Sequence, residues 1–227
     1  MITIDALTLR TDGRTLVDGV TMHLAEGALH LLAGTAGAGK TALLEALAGL
    51  QRAASGSVTR FGRPLRPREV AYVPHDPRLY AGLTGRDLAE LALRYRPEGS
   101  DAGTDTEALL GAFDLPADTP VEGWSPARRR QLALVAALLR RPAVVLLDEP
   151  VEGFDAAALR TARRLLQCER ARGTTLIVAT RRPLTLADMA DELHLLAGGA
   201  LCRQYRGDEL VAALCAAQGF GGSGKSS

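Results

Sequence analysis

Eight residues, Gly34-Thr35-Ala36-Gly37-Ala38-Gly39-Lys40-Thr41, constrain this chain more than any other segment. They fit the pattern GxxxxGK[ST]. Before them runs a short apolar stretch, Ala28 to Ala33; after them, Lys40 to Leu50 carries Leu43, Leu44, Leu47 and Leu50 at helical spacing. Strand, glycine loop and helix in that order make a phosphate-binding loop. Its glycines let successive backbone N–H groups curl around phosphates, Lys40 reaches the β and γ oxygens, Thr41 offers a hydroxyl to Mg²⁺, and the helix N-terminus adds partial positive charge. A second match to the pattern, Gly219 to Ser226, has neither a strand before it nor room for a helix after it. It reads as a flexible tail or an expression remnant.

Composition supports the weight placed on Lys40. Of 27 basic residues only Lys40 and Lys225 are lysines, asparagine is absent, and isoleucine occurs only at 2, 4 and 177. That skew points to a GC-rich bacterial genome and makes the arginine abundance a coding bias. A lone lysine in such a chain marks a place where a compact ammonium is needed and a planar guanidinium is not. The net charge of +1 gives no field that would favour nucleic acid, and Arg128-Arg129-Arg130 reads as a solvated helix face with no interleaved aromatics. The length, 227 residues with 47% hydrophobic and 23% charged, suits one domain or a domain with an inserted lobe, and excludes disordered and fibrous classes.

Three cysteines, Cys168, Cys202 and Cys215, lack metal-ligand spacing and read as reduced, small, buried apolar residues. The opening MITIDALTLR has no apolar core behind a basic flank and is not expected to act as a signal peptide. The longest apolar stretches, Leu132 to Leu139 and Ala143 to Leu147, fall far short of the ~20 residues of a membrane helix. Any membrane role is expected to be peripheral.

The pattern predicts an antiparallel start from residues 2–9 through the turn Thr11-Asp12-Gly13-Arg14 to Val20–Leu24. Strands are expected at 55–61, 69–73, 143–147 and 174–180, with a hairpin around Gly198-Gly199. Thr84, with Asp87 in the first turn, is expected to cap a helix to about Arg96; Pro97 to Thr106 is the best linker candidate, with a short helix at 107–113. Ser125 followed by Pro126 opens a helix to about Arg140, and Asp155 caps another to about Arg172. Strands alternating with helices imply a mostly parallel sheet with right-handed crossovers.

The apolar run Val144 to Leu147 ends in Asp148-Glu149. Beside a phosphate loop, the first carboxylate is expected to hold magnesium through its shell and the second to orient and deprotonate an attacking water.

Taken together, GTAGAGKT, AYVPHDPRLYAGLT, WSPARRRQLALVAALLRRPAVVLLDEP, VEGFD with Asp155, and LIVATRR make the chain resemble the nucleotide-binding domain of ATP-binding cassette (ABC) transporters over about residues 1–215. Their order matches that family's Walker A, Q-loop, signature helix, Walker B, D-loop and switch segments. The resemblance implies an α/β P-loop NTPase with a mostly parallel core sheet, an antiparallel β subdomain and a small helical subdomain at about 84–140, followed by a flexible tail at 216–227. It also implies ATP and Mg²⁺ as ligands.

Departures from the pattern bear on function. His75 stands at the Q-loop glutamine, Trp124-Ser125-Pro126-Ala127-Arg128 replaces LSGGQ and keeps only Ser125, Arg181 occupies the switch-histidine position, and Thr11 falls near where an aromatic stacks on adenine. In the family the signature offers serine and glycine backbone donors to the γ-phosphate on a partner chain. Pro126 has no N–H and Ala127 adds a methyl, so the helix start survives while phosphate contacts are lost; Arg128 replaces some of the charge. Arg181 cannot titrate as imidazole does, but suits a γ-phosphate clamp or a pair with Glu149.

The resemblance implies an ATP-hydrolysing subunit that dimerises with itself or a second cassette and drives a separate membrane permease from the cytoplasmic face of the membrane. The alternative is a weakly hydrolysing regulatory subunit working beside a competent partner.

Overall fold

The computed structural model describes residues 1–96, 106–210 and 212–213. The linker expected at 97–106 lies outside the described residues except for Thr106; Cys215 and the tail at 216–227, with its second glycine-lysine motif, lie wholly outside them.

β1 (Ile2–Thr11) and β2 (Arg14–Leu24) form the expected antiparallel hairpin, turning at Asp12 and Gly13, both at positive φ. β1 also pairs with β4 (Ser55–Arg60), which pairs with the two-residue β5 (Arg63–Pro64), giving a four-stranded sheet in the order β2-β1-β4-β5. β3 (Leu29–Ala33), β6 (Val70–Val73), β7 (Val144–Asp148), β8 (Thr175–Thr180), β9 (Glu192–Ala197) and β10 (Ala200–Arg206) form the second sheet, in the order β10-β9-β3-β8-β7-β6. All its neighbours are parallel except β9 and β10.

Every residue of β3, β7 and β8 is buried, as expected of strands covered on both faces. Their side chains alternate between two cores. Leu32, Leu146 and Ile177 face helix α1 (Lys40–Leu47) and the four-stranded sheet, whereas Leu31, Leu147 and Val178 face the remaining helices. Those are α2 (Gly85–Leu93), α3 (Thr106–Ala112), α4 (Pro126–Leu139) and α5 (Ala156–Ala171). This layering brings the ends of β3 and β7, which flank β8, to the same edge of the sheet, where the phosphate loop and Asp148-Glu149 emerge.

The expected caps form. Thr84 and Asp87 bond reciprocally in a capping box, Ser125 Oγ accepts from the Arg128 N–H, and Asp155 Oδ1 accepts from the Ala158 N–H. Trp124 is buried against α2, where a Cβ on Gly85 would meet its ring at 2.7 Å. The glycine is therefore what lets α2 approach the start of α4.

Two boundaries and one burial expectation change. α1 ends at Leu47, three residues before Leu50, because Gly49 turns into the left-handed region (φ 74) and leaves Leu50 exposed. α2 ends at Leu93, and Arg94 caps it. Cys168 and Cys202 are exposed, not buried; on α5 and the edge strand β10 they occupy outward positions that helical or strand spacing around a single thiol does not reveal.

Candidate functional site

The phosphate loop is closed by contacts that only glycine allows. A Cβ on Gly34 would lie 2.3 Å from the Leu196 carbonyl oxygen, and one on Gly39, at φ 96, 2.6 Å from that of Leu16. The loop thus nests against the β9–β10 hairpin and β2. Lys40, buried to 7% exposure, donates from Nζ to the carbonyl oxygens of Gly34 (2.7 Å) and Thr35 (3.0 Å). Burial pushes its ammonium below the usual lysine range, and the Glu149 and Asp148 carboxylates oppose that shift. Ala36 through Thr41 line a cavity of about 420 Å³ together with Leu16, Glu45, His75, Asp148, Glu149 and Arg181.

The Thr41 hydroxyl donates to Asp148 Oδ2 at 2.6 Å, joining the first turn of α1 to the end of β7. Asp148 is 3% exposed; burial raises its carboxyl above the usual aspartate range, against the Thr41 hydrogen bond. A hydroxyl and a buried, cation-seeking carboxylate at this spacing are hard oxygen donors that fit a small divalent cation such as Mg²⁺.

Glu149 adopts φ 46, a conformation uncommon outside glycine, and its N–H donates to the Ala179 carbonyl oxygen. The turn aims its carboxylate toward the segment after β8. There Oε1 accepts from Arg181 N–H (2.8 Å) and Arg181 Nε (3.1 Å), and Oε2 accepts from the Thr180 hydroxyl (3.1 Å). Arg181 also donates from Nη2 to Glu152 Oε1 at 3.0 Å, and His75 bonds Glu152 Oε2. The His75 bond, resisted by burial and assisted by the charges of Arg181 and Arg130, holds the Glu152 carboxyl below the usual range. Arg130 reaches from α4 to the carbonyl oxygens of His75 (2.7 Å) and Glu152 (3.0 Å).

The structure therefore brings together Gly34 to Thr41, His75, Asp148, Glu149 and Arg181. Ser125, Arg128 and Asp155 are not among the residues lining the cavity: they sit exposed at the starts of α4 and α5. Thr11 does not line this cavity either. It lies exposed at the end of β1, bonded by Gln51 Nε2, while Leu16 of β2 is among the lining residues. Sequence reasoning also passed over Glu152 and Thr180. Glu152 sits three residues beyond Glu149 in a turn, and Thr180 precedes Arg181; their adjacency to singled-out residues was the available signal.

A profile of the family described as ABC transporter matches residues 17–152. The chain is similar to the cytochrome c biogenesis ATP-binding export protein CcmA of Gluconobacter oxydans (strain 621H), 32% identical over 186 residues, covering 82% of this chain and 83% of that protein. It is also similar to the zinc transport system ATP-binding protein TroB of Treponema pallidum (strain Nichols), 30% identical over 209 residues, with 86% and 77% covered. In fold it matches a solved ATP-binding subunit of an ABC transporter, with a TM-score of 0.83, 23% identity and coverage of 100% and 95%. A dimeric ATP-binding cassette holding ADP and Pi in a post-hydrolysis state matches with a TM-score of 0.80, 19% identity and coverage of 91% and 98%. With its phosphate loop joined to the paired carboxylates Asp148 and Glu149, the chain belongs to the ABC transporter family, as a transport-associated ATP-binding subunit of its ATP-hydrolysing class.

Proposed function

We propose that ATP binds with its phosphates in the Gly34–Thr41 loop, Lys40 serving the β and γ oxygens, and that Glu149 is the general base for its hydrolysis. The observation that carries this reading is the 2.6 Å bond between Thr41 and Asp148, which sets the loop and the Glu149 carboxylate on one cavity. Mg²⁺ held by the Thr41 hydroxyl and through the shell of Asp148 would neutralise phosphate charge. Glu149 orients the attacking water and takes its proton. Arg181 must release Oε1, or tilt, before a water can reach that oxygen; its guanidinium then faces the γ-phosphate as a clamp. His75 acts through Glu152, fixing the carboxylate that holds the far side of Arg181.

The unit spans residues 1–215, its helical part about 84–140, and works on a membrane permease from the cytoplasmic face. No helix among the described residues is long and apolar enough to cross a membrane. A second cassette completes the site: Ser125 and Arg128 at the start of α4, and Asp155 at the start of α5, face that partner. The ion pair of Arg181 with Glu149, together with Pro126 in the signature, favours slow turnover or the regulatory variant of this function.

Glu149→Gln tests the base. In the assembled complex, turnover should fall by ~10²-fold or more while ATP affinity stays within about threefold. Undiminished turnover would assign hydrolysis to another chain.

A further inference from the structure

At the opposite end of β3 from the phosphate loop, His30 and His194 are fully buried and Glu192 is 7% exposed. The parallel register of β3 and β9 sets His30 beside Glu192 and Leu32 beside His194, so all three polar side chains share one face of the sheet. They turn one atom each toward a common point. His30 Nδ1 lies 3.4 Å from Glu192 Oε2, His194 Nε2 lies 3.3 Å from the same oxygen, and the two ring nitrogens are 3.4 Å apart. Ligand atoms about 2.0–2.1 Å from a tetrahedral zinc ion stand about 3.3–3.4 Å from one another.

With both imidazoles neutral, the state in which they can bind a metal, hydrogen bonding within the triad does not balance. His30 Nε2 faces the Ala25 carbonyl oxygen at 3.0 Å, so its proton is there and Nδ1 turns a lone pair toward Glu192. The one proton left for the triangle belongs to His194. Placed on Nε2 it must serve two acceptors and leaves Nδ1 as a buried acceptor; placed on Nδ1 it leaves three lone pairs converging. Nδ1 of His194 has no hydrogen-bond partner among the described residues. A cation at the centre engages the three converging lone pairs, with the His194 proton left on Nδ1. The Ala25 contact meanwhile orients His30 as a ligand imidazole is commonly oriented.

We propose that His30 Nδ1, His194 Nε2 and Glu192 Oε2 are three ligands of a zinc-type divalent ion. Two imidazoles and one carboxylate suit zinc; magnesium and calcium take oxygen ligands. Arg206 lies over the site, half-exposed, with Nε 2.9 Å from Glu192 Oε1 and Nη2 3.1 Å from Oε2. It orients the carboxylate and also competes for it, so the ion reaches its ligands by displacing this guanidinium. The ion would tie β3 to β9 at one end, while at the other Leu196 and Gly199 press on Gly34 and Gly39 of the phosphate loop. That separation is about four residues, or ~13 Å of strand.

The experiment is a calorimetric Zn²⁺ titration of chelator-stripped protein in excess Mg²⁺, which holds oxygen-only sites, using a chain with Cys168, Cys202 and Cys215 changed to Ser. One equivalent of Zn²⁺ should bind, Co²⁺ should give the intense visible bands of a tetrahedral site, and Zn²⁺ should raise the unfolding temperature. His194→Gln and Glu192→Gln should each weaken binding by ~100-fold, since loss of a group that merely orients a ligand already costs ~10–100-fold. No stoichiometric Zn²⁺ binding, a Co²⁺ spectrum of octahedral type, or undiminished affinity in the folded His194→Gln chain would overturn the site. The first two outcomes are read on chains with the triad intact, so they hold even where a triad variant fails to fold.

Discussion

The phosphate loop and the start of α4 are both helix N-termini, and they have kept opposite things. At α1 the donors are retained: glycines at 34, 37 and 39 admit close approach, no side chain caps the helix, and Lys40 and Thr41 stand in its first turn. At α4 the structural device is retained and the donors are spent. Ser125 Oγ occupies the Arg128 N–H, Pro126 supplies no N–H at the first helical position, and Ala127 follows where a glycine would leave the backbone open. The first terminus is built to hold an anion. The second is built to hold itself. On the proposal that a second cassette completes the site, this chain is expected to bind nucleotide well and to contribute few phosphate donors to its partner.

The sharpest way to break that comparison is Lys40→Ala. At ~1.5–3 kcal/mol for each charge-assisted hydrogen bond, a lysine that serves two phosphates is worth ~10²–10⁴-fold in nucleotide affinity. Equilibrium binding of a fluorescent ATP analogue reads this directly, and an unchanged dissociation constant would remove the functional distinction between the two termini. Ser125→Ala, by contrast, should leave that constant alone and cost ~1 kcal/mol of stability through the lost cap.

Next in size is restoration of the second terminus and the switch position. Pro126→Gly, Ala127→Gly and Arg181→His together return backbone donors and free Oε1 of Glu149 from the guanidinium at 3.1 Å. Loss of one oriented donor commonly costs ~10²–10³-fold in rate, so a self-associating chain should gain ~10–10²-fold in ATPase turnover, the gain being reduced by the helix-start stability that Pro126 provides. A fast original chain with no gain on restoration would show that these substitutions do not restrain hydrolysis.

What was legible in the chain follows the same division. A phosphate loop has few chemical alternatives, so glycine spacing with one lysine located it, and buried parallel strands announced themselves as unbroken apolar runs. Capping residues were equally plain, since Thr84, Ser125 and Asp155 do locally what their side chains favour. Long-range pairing was not legible. His30 and His194 are separated by 164 positions and meet only because β9 lies beside β3. Pairing of β1 was illegible for a second reason: its register against β2 shifts repeatedly, between Ile4 and Leu7, Leu7 and Leu9, and Leu9 and Arg10. Alternation cannot be carried through such irregularities, so Leu16 on β2 gave no sign in the sequence that it lines the cavity. Glu152 was hidden for another reason: it has no motif of its own and gains its place from His75, Arg130 and Arg181 arriving from three other segments.

The smallest expected effect concerns what the retained terminus costs the fold. Asp148 is nearly fully buried, its main local support is one hydroxyl, and burial raises its carboxyl above the usual aspartate range. A carboxyl whose folded-state value is raised destabilises the folded state wherever it is ionised, and the cost vanishes as pH falls through the raised value toward that of the unfolded chain. Asp148→Asn keeps a carbonyl to accept from Thr41 and removes the charge. In the nucleotide-free protein near pH 7 it should therefore raise the unfolding temperature, by about 2–4 °C if the gain is about 1 kcal/mol, and the difference from the original chain should close as the pH approaches 4. The same substitution should weaken Mg²⁺-dependent nucleotide binding, so stability and binding move in opposite directions. Matched thermal unfolding curves at neutral and acidic pH check the sign. A variant less stable at pH 7, or a difference that widens in acid, would mean that Asp148 supports the fold and that the phosphate-loop terminus, like the start of α4, is held for structure.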